Sequence, residues 1–213
     1  FVIAYIIVWF FKGIGMNLRV MQGWSTMQKH MKLDWGALNK DLDKALLQHD
    51  PSGRATTLSW HSHNLKRLAG GGAVLPYGVD DVIHAVIIAT YNESRDTLEP
   101  TIEMLLQSDY NMKRVIFILA YEERGGVDVI AQSKDLVKKY GKLFMHAEAV
   151  MHPKNMPGEV IGKGGNITFA GKWLERYVKQ EKIDPMRVIV TTLDSDNRPH
   201  KNYLAAVTYT YLS

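Results

Sequence analysis

The C-terminal part of the chain alternates between apolar, β-branched runs and segments of helical period. The first run, Val82-Ile83-His84-Ala85-Val86-Ile87-Ile88-Ala89-Thr90, is apolar without alternation, the pattern of a strand buried on both faces of a parallel sheet. It ends in the polar edge Tyr91-Asn92-Glu93-Ser94. A helix is predicted over 97–107, with Leu98, Ile102, Leu105 and Leu106 on one face and Pro100 tolerable in its first turn. A second strand over 114–120 is followed by Glu122 and Glu123, and a second helix spans about 127–140. Gly141 then offers a left-handed cap. A third strand is predicted over 142–150, and a glycine-rich turn, Gly162-Lys163-Gly164-Gly165-Asn166, opens a helix carrying Phe169, Trp173, Leu174, Tyr177 and Val178. The fourth run, Val188-Ile189-Val190-Thr191-Thr192-Leu193, ends in Asp194-Ser195-Asp196, and a last helix runs from Asn202 past Leu212. Such β-α alternation predicts a doubly wound, mostly parallel sheet with right-handed crossovers.

The N-terminal part reads differently. Phe1 to Phe11 is wholly apolar, and Lys12, Arg19, Lys29 and Lys32 follow before the first acidic residue, Asp34. Trp9 and Trp24 bracket the junction in the manner of interfacial aromatics, and basic flanks of this kind face the cytoplasm. Alone, the run is shorter than the ~20 residues that cross a bilayer. Starting at Phe1 within an apolar run and stopping at Ser213 within a helical pattern, the sequence reads as an excerpt of a longer protein. The expectation is a partial transmembrane or juxtamembrane helix over 1–32, with a buried core helix or strand as the alternative. Met16, Val20, Met21, Trp24, Met27 and Met31 recur at helical spacing, which suits either a membrane interface or packing on the domain. Residues 33–79 are predicted as a helical linker region broken by Gly70-Gly71-Gly72, and 80–213 as the α/β domain. His61 and His63 make a short His-x-His, but no third zinc ligand is evident nearby.

With 213 residues, 46% hydrophobic and 23% charged, the composition is globular. The net charge of +4 is scattered, so no nucleic-acid partner is expected. The lack of cysteine excludes disulfides, thiolate zinc sites and cysteine nucleophiles from this segment.

Candidate chemistry lies at the ends of the runs. On an extended segment Asp194 and Asp196 would project to one side, where their oxygens could share a hard divalent cation. A bare Asp-x-Asp is also the composition of a surface turn. Lys163 in a glycine turn at a helix start suits a diphosphate, although the spacing of Gly158, Lys163 and Gly164 departs from a Walker A loop.

Four stretches in fixed order resemble family 2 glycosyltransferases: Ile88-Ala89-Thr90-Tyr91-Asn92-Glu93, Gly162-Lys163-Gly164-Gly165-Asn166, Leu193-Asp194-Ser195-Asp196 and Arg198-Pro199-His200-Lys201-Asn202-Tyr203-Leu204. The resemblance covers 82–213, and the N-terminal stretch is similar to that of membrane-attached bacterial members that make surface or extracellular polysaccharides. It implies the GT-A fold, a Rossmann-like, mostly parallel sheet with helices on both faces, preceded by a helical membrane-proximal segment. It further implies a nucleotide-binding edge at Ala89, Thr90, Tyr91 and Glu93, and Lys163 and Asn166 near the donor's nucleotide and phosphates. Asp194 would lie near the sugar or ribose and Asp196 would contact Mg²⁺ or Mn²⁺, with both counted as metal candidates. Where many members carry an aspartate pair after the second strand, this chain has Glu122-Glu123, so either glutamate substitutes in holding the nucleoside, with Glu122 the candidate named, or the contact is lost. The implied reaction is inverting transfer of a sugar from a nucleoside-diphosphate sugar, a UDP-sugar first among them, to a glycan or lipid-linked acceptor. The implied location is the inner or cell membrane with the catalytic domain cytoplasmic, and the catalytic base is expected downstream. A non-catalytic nucleotide-sugar sensor or synthase partner and a nucleotidyltransferase are the alternatives.

Overall fold

The computed structural model describes residues 1–53, 58–73, 75–158 and 162–213. They form two compact units, Phe1–Asp34 and Trp35–Ser213. The first is a single helix, α1 (Val2–His30), with no buried residue. The apolar run and the methionine-bearing stretch are therefore one continuous element of 29 residues, about 43 Å long at ~1.5 Å per residue.

The second unit holds the alternating elements. In order they are α2 (Trp35–Leu47), α3 (Ser59–Arg67), β1 (Ile83–Thr90), α4 (Arg95–Leu106), β2 (Val115–Glu122), α5 (Val127–Tyr140), β3 (His146–His152), α6 (Lys163–Gln180), β4 (Val188–Asp194) and α7 (Tyr203–Leu212). The four strands form one sheet in the order β3-β2-β1-β4, and every pairing is parallel. The doubly wound α/β reading of the sequence is correct at this level. The inner strands β1 and β2 are buried along their whole length, which is why their sequences do not alternate.

Alternate residues of β1 serve opposite layers. Val86 and Ile88 pack with Phe117 and Leu119 of β2 against Leu98, Ile102 and Leu105 of α4 and Leu136 of α5. Ala85 and Ile87 pack with Ile116 and Ile118 against Ala170, Leu174 and Val178 of α6. Helices thus cover both faces of the sheet.

Several boundaries differ from expectation. β2 continues to Glu122 because its last residue pairs with His152 of β3. Gly141 is right-handed, with φ −58°, and a tight turn over Gly141–Leu143 follows. β3 therefore begins at His146 rather than at 142. Positive φ is found instead at other glycines, among them Gly71, φ 85°, within the wide helical turn Leu68–Gly72.

The stretch expected as a linker supplies α2 and α3. Trp35 and Trp60 each pack edge to face against Tyr209. His61 is fully buried, with Nδ1 2.7 Å from the Tyr209 hydroxyl and Nε2 3.5 Å from Asp41 Oδ2. His63 is exposed, so the two histidines face different surroundings and His61 belongs to the core.

A second buried histidine gives the fold an acid response. His84 of β1 is fully buried, its Nε2 2.8 Å from Thr208 Oγ1, and burial lowers its pKa to about 4. The unfolded chain takes up this proton near pH 6.5 while the folded chain refuses it until about 4. Stability is thus fully present above 6.5 and falls as pH drops through that window. Urea unfolding is expected to show about 2 kcal/mol less stability at pH 5 than at pH 7 from this group alone. His84→Gln should flatten the slope by that amount, and an unchanged slope in the variant would refute the assignment.

Candidate functional site

The strand order reverses at β1: β2 and β3 build outward on one side, β4 on the other. In α/β sheets ligands bind beyond the strand carboxyl ends at such a switch point. A cleft of ≈ 350 Å³ opens here, lined by Ala89, Thr90, Tyr91, Glu93, Glu122, Arg124, Gly162, Lys163 and Asn166. Seven residues singled out in the sequence as nucleotide contacts converge in it, from the ends of β1 and β2 and the start of α6. Arg124 was missed. Its signal is local: it stands two residues after Glu122, across the tight turn Glu123–Gly125.

Within the cleft, Asn166 joins the sheet to α6. It is 2% exposed, and its amide nitrogen donates to Thr90 O at 3.1 Å and Ala120 O at 3.0 Å. Parallel strands leave their last carbonyls without partners, and Asn166 supplies donors to two neighbouring strands at once. Its own Oδ1 has no hydrogen-bond partner among the described residues, so a buried acceptor is left for a ligand donor or water.

Glu93 does more for the loop than for the cleft. Its Oε2 accepts from the Thr90 hydroxyl at 2.6 Å, from the Tyr91 amide at 2.7 Å and from the Asn92 amide at 3.2 Å. Burial pushes its pKa up, but these donors and the Ser195 side chain outweigh that and hold the carboxyl below its ordinary value. The carboxylate is therefore ionised and largely spent on shaping the edge. Glu122 is buried and paired with Arg124, whose guanidinium sits 5.6 Å from the centre of the Tyr91 ring. Gly125 permits this packing, since a Cβ there would collide with the Tyr91 carbonyl.

The acidic motif takes a different form from the one expected. β4 ends at Asp194, and a turn follows in which the Asn197 amide donates to Asp194 O at 3.1 Å. The Asp194 amide donates in return to Asn197 Oδ1 at 2.7 Å. The two carboxylates are thus not on one side of an extended strand, because the chain bends between them. Ser195 is drawn inward at 6% exposure, whereas Asp194 and Asp196 are exposed. The Lys163 ammonium contacts Asp194 Oδ1, which connects the start of α6 with the end of β4.

Among the described residues no group of three or more His, Cys, Asp or Glu is placed to hold a metal. Two exposed carboxylates on one turn do not make a protein cage. They do fit Mg²⁺ or Mn²⁺, since Mg²⁺ keeps several waters and is commonly bound by one or two carboxylates together with substrate phosphates. No protein-family model, curated protein or solved structure matches this chain.

Asn166→Ala is expected to cost about 2 kcal/mol, because two buried carbonyls lose their donor. Asn166→Asp should cost more, since it sets a carboxylate against two carbonyl oxygens. Urea titration measures both; wild-type midpoints would show that the strand ends do not depend on this amide.

Proposed function

We propose that the second unit is the donor-binding half of a metal-dependent, inverting glycosyltransferase resembling family 2, built on a GT-A type sheet. The observation that carries this reading is the convergence of Ala89, Thr90, Tyr91, Glu93, Glu122, Lys163 and Asn166 in one cleft at the switch point of the sheet. A nucleoside-diphosphate sugar, a UDP-sugar first, is the ligand whose parts match the cleft.

The residues divide the work by chemistry. Thr90 and the half-exposed Tyr91 ring form an apolar and aromatic wall for a nucleobase, and the Asn166 Oδ1 acceptor suits a nucleoside donor group. Lys163 and the positive end of α6 face the diphosphate, where unpaired N–H groups and the helix dipole favour anions. Asp194 and Asp196 would hold the cation, with water and phosphate oxygens completing its coordination. When bound, Mg²⁺ or Mn²⁺ supplies Lewis-acid stabilisation of the departing nucleoside diphosphate. Because Lys163 already touches Asp194, a diphosphate that engages the lysine comes within reach of the acidic turn. No catalytic base is assigned in this chain; the attacking acceptor hydroxyl belongs to a glycan or a lipid-linked sugar.

The glutamate edge favours a second reading. Glu122 is engaged by Arg124 rather than left open to a nucleoside, which suits a nucleotide-sugar sensor that binds without transferring. Both readings place α1 at the cell membrane with the α/β unit on the cytoplasmic side. Its 29 residues include a window of mean hydropathy 1.4, long and apolar enough to cross, although a core helix of a soluble protein or a signal sequence meets the same measure.

Isothermal titration should detect UDP binding that strengthens with Mn²⁺, and Asp196→Ala should weaken the Mn²⁺-dependent part about tenfold through loss of a charged ligand. Metal-independent binding, or a variant that binds as wild type, contradicts the metal role. Release of nucleoside diphosphate supports transfer, its absence despite binding supports the sensor, and pyrophosphate would indicate a nucleotidyltransferase. In cell fractionation the whole chain should sediment with membranes and a version lacking 1–34 should not; a whole chain that stays soluble overturns the membrane placement.

A further inference from the structure

Thr101 lies on the buried side of α4 and is fully enclosed, yet its hydroxyl reaches outside its own helix. Oγ1 donates to Ser195 O at 2.6 Å, and the intrahelical acceptor Thr97 O lies farther off, at 3.5 Å. Arg198 closes the circuit from the other side. Its Nη1 donates to Thr101 Oγ1 and to Asn197 O at 3.2 Å, and its Nη2 to Thr97 O at 3.2 Å. The carbonyl between the two aspartates, which in an ordinary surface turn would face water, is instead drawn down onto α4. Ser195 is consequently 6% exposed, while the Asp194 side chain is 59% exposed.

The same helix also touches the other side of the cleft. α4 starts at Arg95, directly after Glu93 and Ser94, and the Glu93 carboxylate gathers the Thr90 hydroxyl and the Tyr91 and Asn92 amides. One helical end is therefore stitched to the nucleoside edge by Glu93 and to the acidic turn through Thr97 and Thr101.

We propose that Thr101 and Arg198 are positioning residues that fix the Asp194-Ser195-Asp196 turn to α4 and so set how its carboxylates are presented. What the carboxylates receive, a divalent cation carried with a diphosphate, rests on the function proposed above. The bracing itself does not.

Thr101→Val keeps the shape of the buried side chain and removes its hydroxyl; Arg198→Gln removes the fork. In the whole protein, hydrogen exchange at the Asp194 and Asn197 amides is expected to rise about tenfold in each variant, the scale of one lost hydrogen bond to a buried carbonyl. Exchange in β1 should stay within about twofold of wild type, as expected for a site that opens locally. Free-Mn²⁺ measurements with UDP present should show a similar weakening, whereas UDP binding in EDTA should not change. The double variant should be no worse than the more affected single one, because both side chains act through one path. Unchanged exchange at the turn, or equal loss of metal-free UDP binding, would overturn the proposal. If wild type shows no Mn²⁺-dependent UDP binding, the functional reading fails while the exchange result alone decides the bracing.

Discussion

Parallel strands leave a row of backbone carbonyls at their carboxyl ends, and burial of β1 and β2 on both faces means that water cannot freely satisfy them. The structure answers with side chains that belong to the loops and helices above the sheet. Asn166 donates to the carbonyl of Thr90, the last residue of β1, and to that of Ala120 near the end of β2, and Glu93 gathers the amides that leave β1. The cleft exists because these satisfiers must sit there, and the polar groups they leave over are what a ligand meets. Asn166 is the clearest case: one atom of its amide holds the fold and the other is without a partner among the described residues.

The same economy explains the electrostatics of the site. Lysine, arginine and four carboxylates crowd one sheet edge, but most are already paired. Arg124 holds Glu122, Lys163 contacts Asp194, and the ionised Glu93 is stabilised by neutral hydrogen-bond donors. Paired charges near a surface are worth little individually, so their value here is orientation. A ligand that carries both anionic and hydroxyl groups can exchange one partner for another without leaving a charge uncompensated.

Much of this was legible in the residues. Continuous apolar runs reveal inner parallel strands because no position on them faces solvent, so β1 could be read to within one residue and β2 to within two. Of the cleft residues read from the sequence, Lys163 was legible from its glycine turn at a helix start, and the others only through the resemblance of their stretches to a known family. Three features were not. The bend between Asp194 and Asp196 depends on Asn197 and Thr101, the latter a residue more than ninety positions away whose hydroxyl has no periodic signature. The place of His61 in the core depends on Tyr209 from the last helix. Arg124 acquires its role only once the β2–α5 turn packs against Tyr91, which requires glycine at 125 and cannot be inferred from either segment alone.

β4 is an outer strand and is held laterally by β1, in a register that sets Ala89 opposite Asp194. That pairing works as a ruler: it fixes the height of the acidic turn relative to the Thr90 edge through seven successive cross-strand partners. A slip of a single residue would carry Asp194 about 3.3 Å along the strand and turn its side chain to the opposite face. The spacing between the acidic turn and the Thr90 edge is thus tied to the β1–β4 backbone ladder as well as to the side chains that brace the turn, so core substitutions in β1 that leave the cleft chemically intact should still be able to detune it.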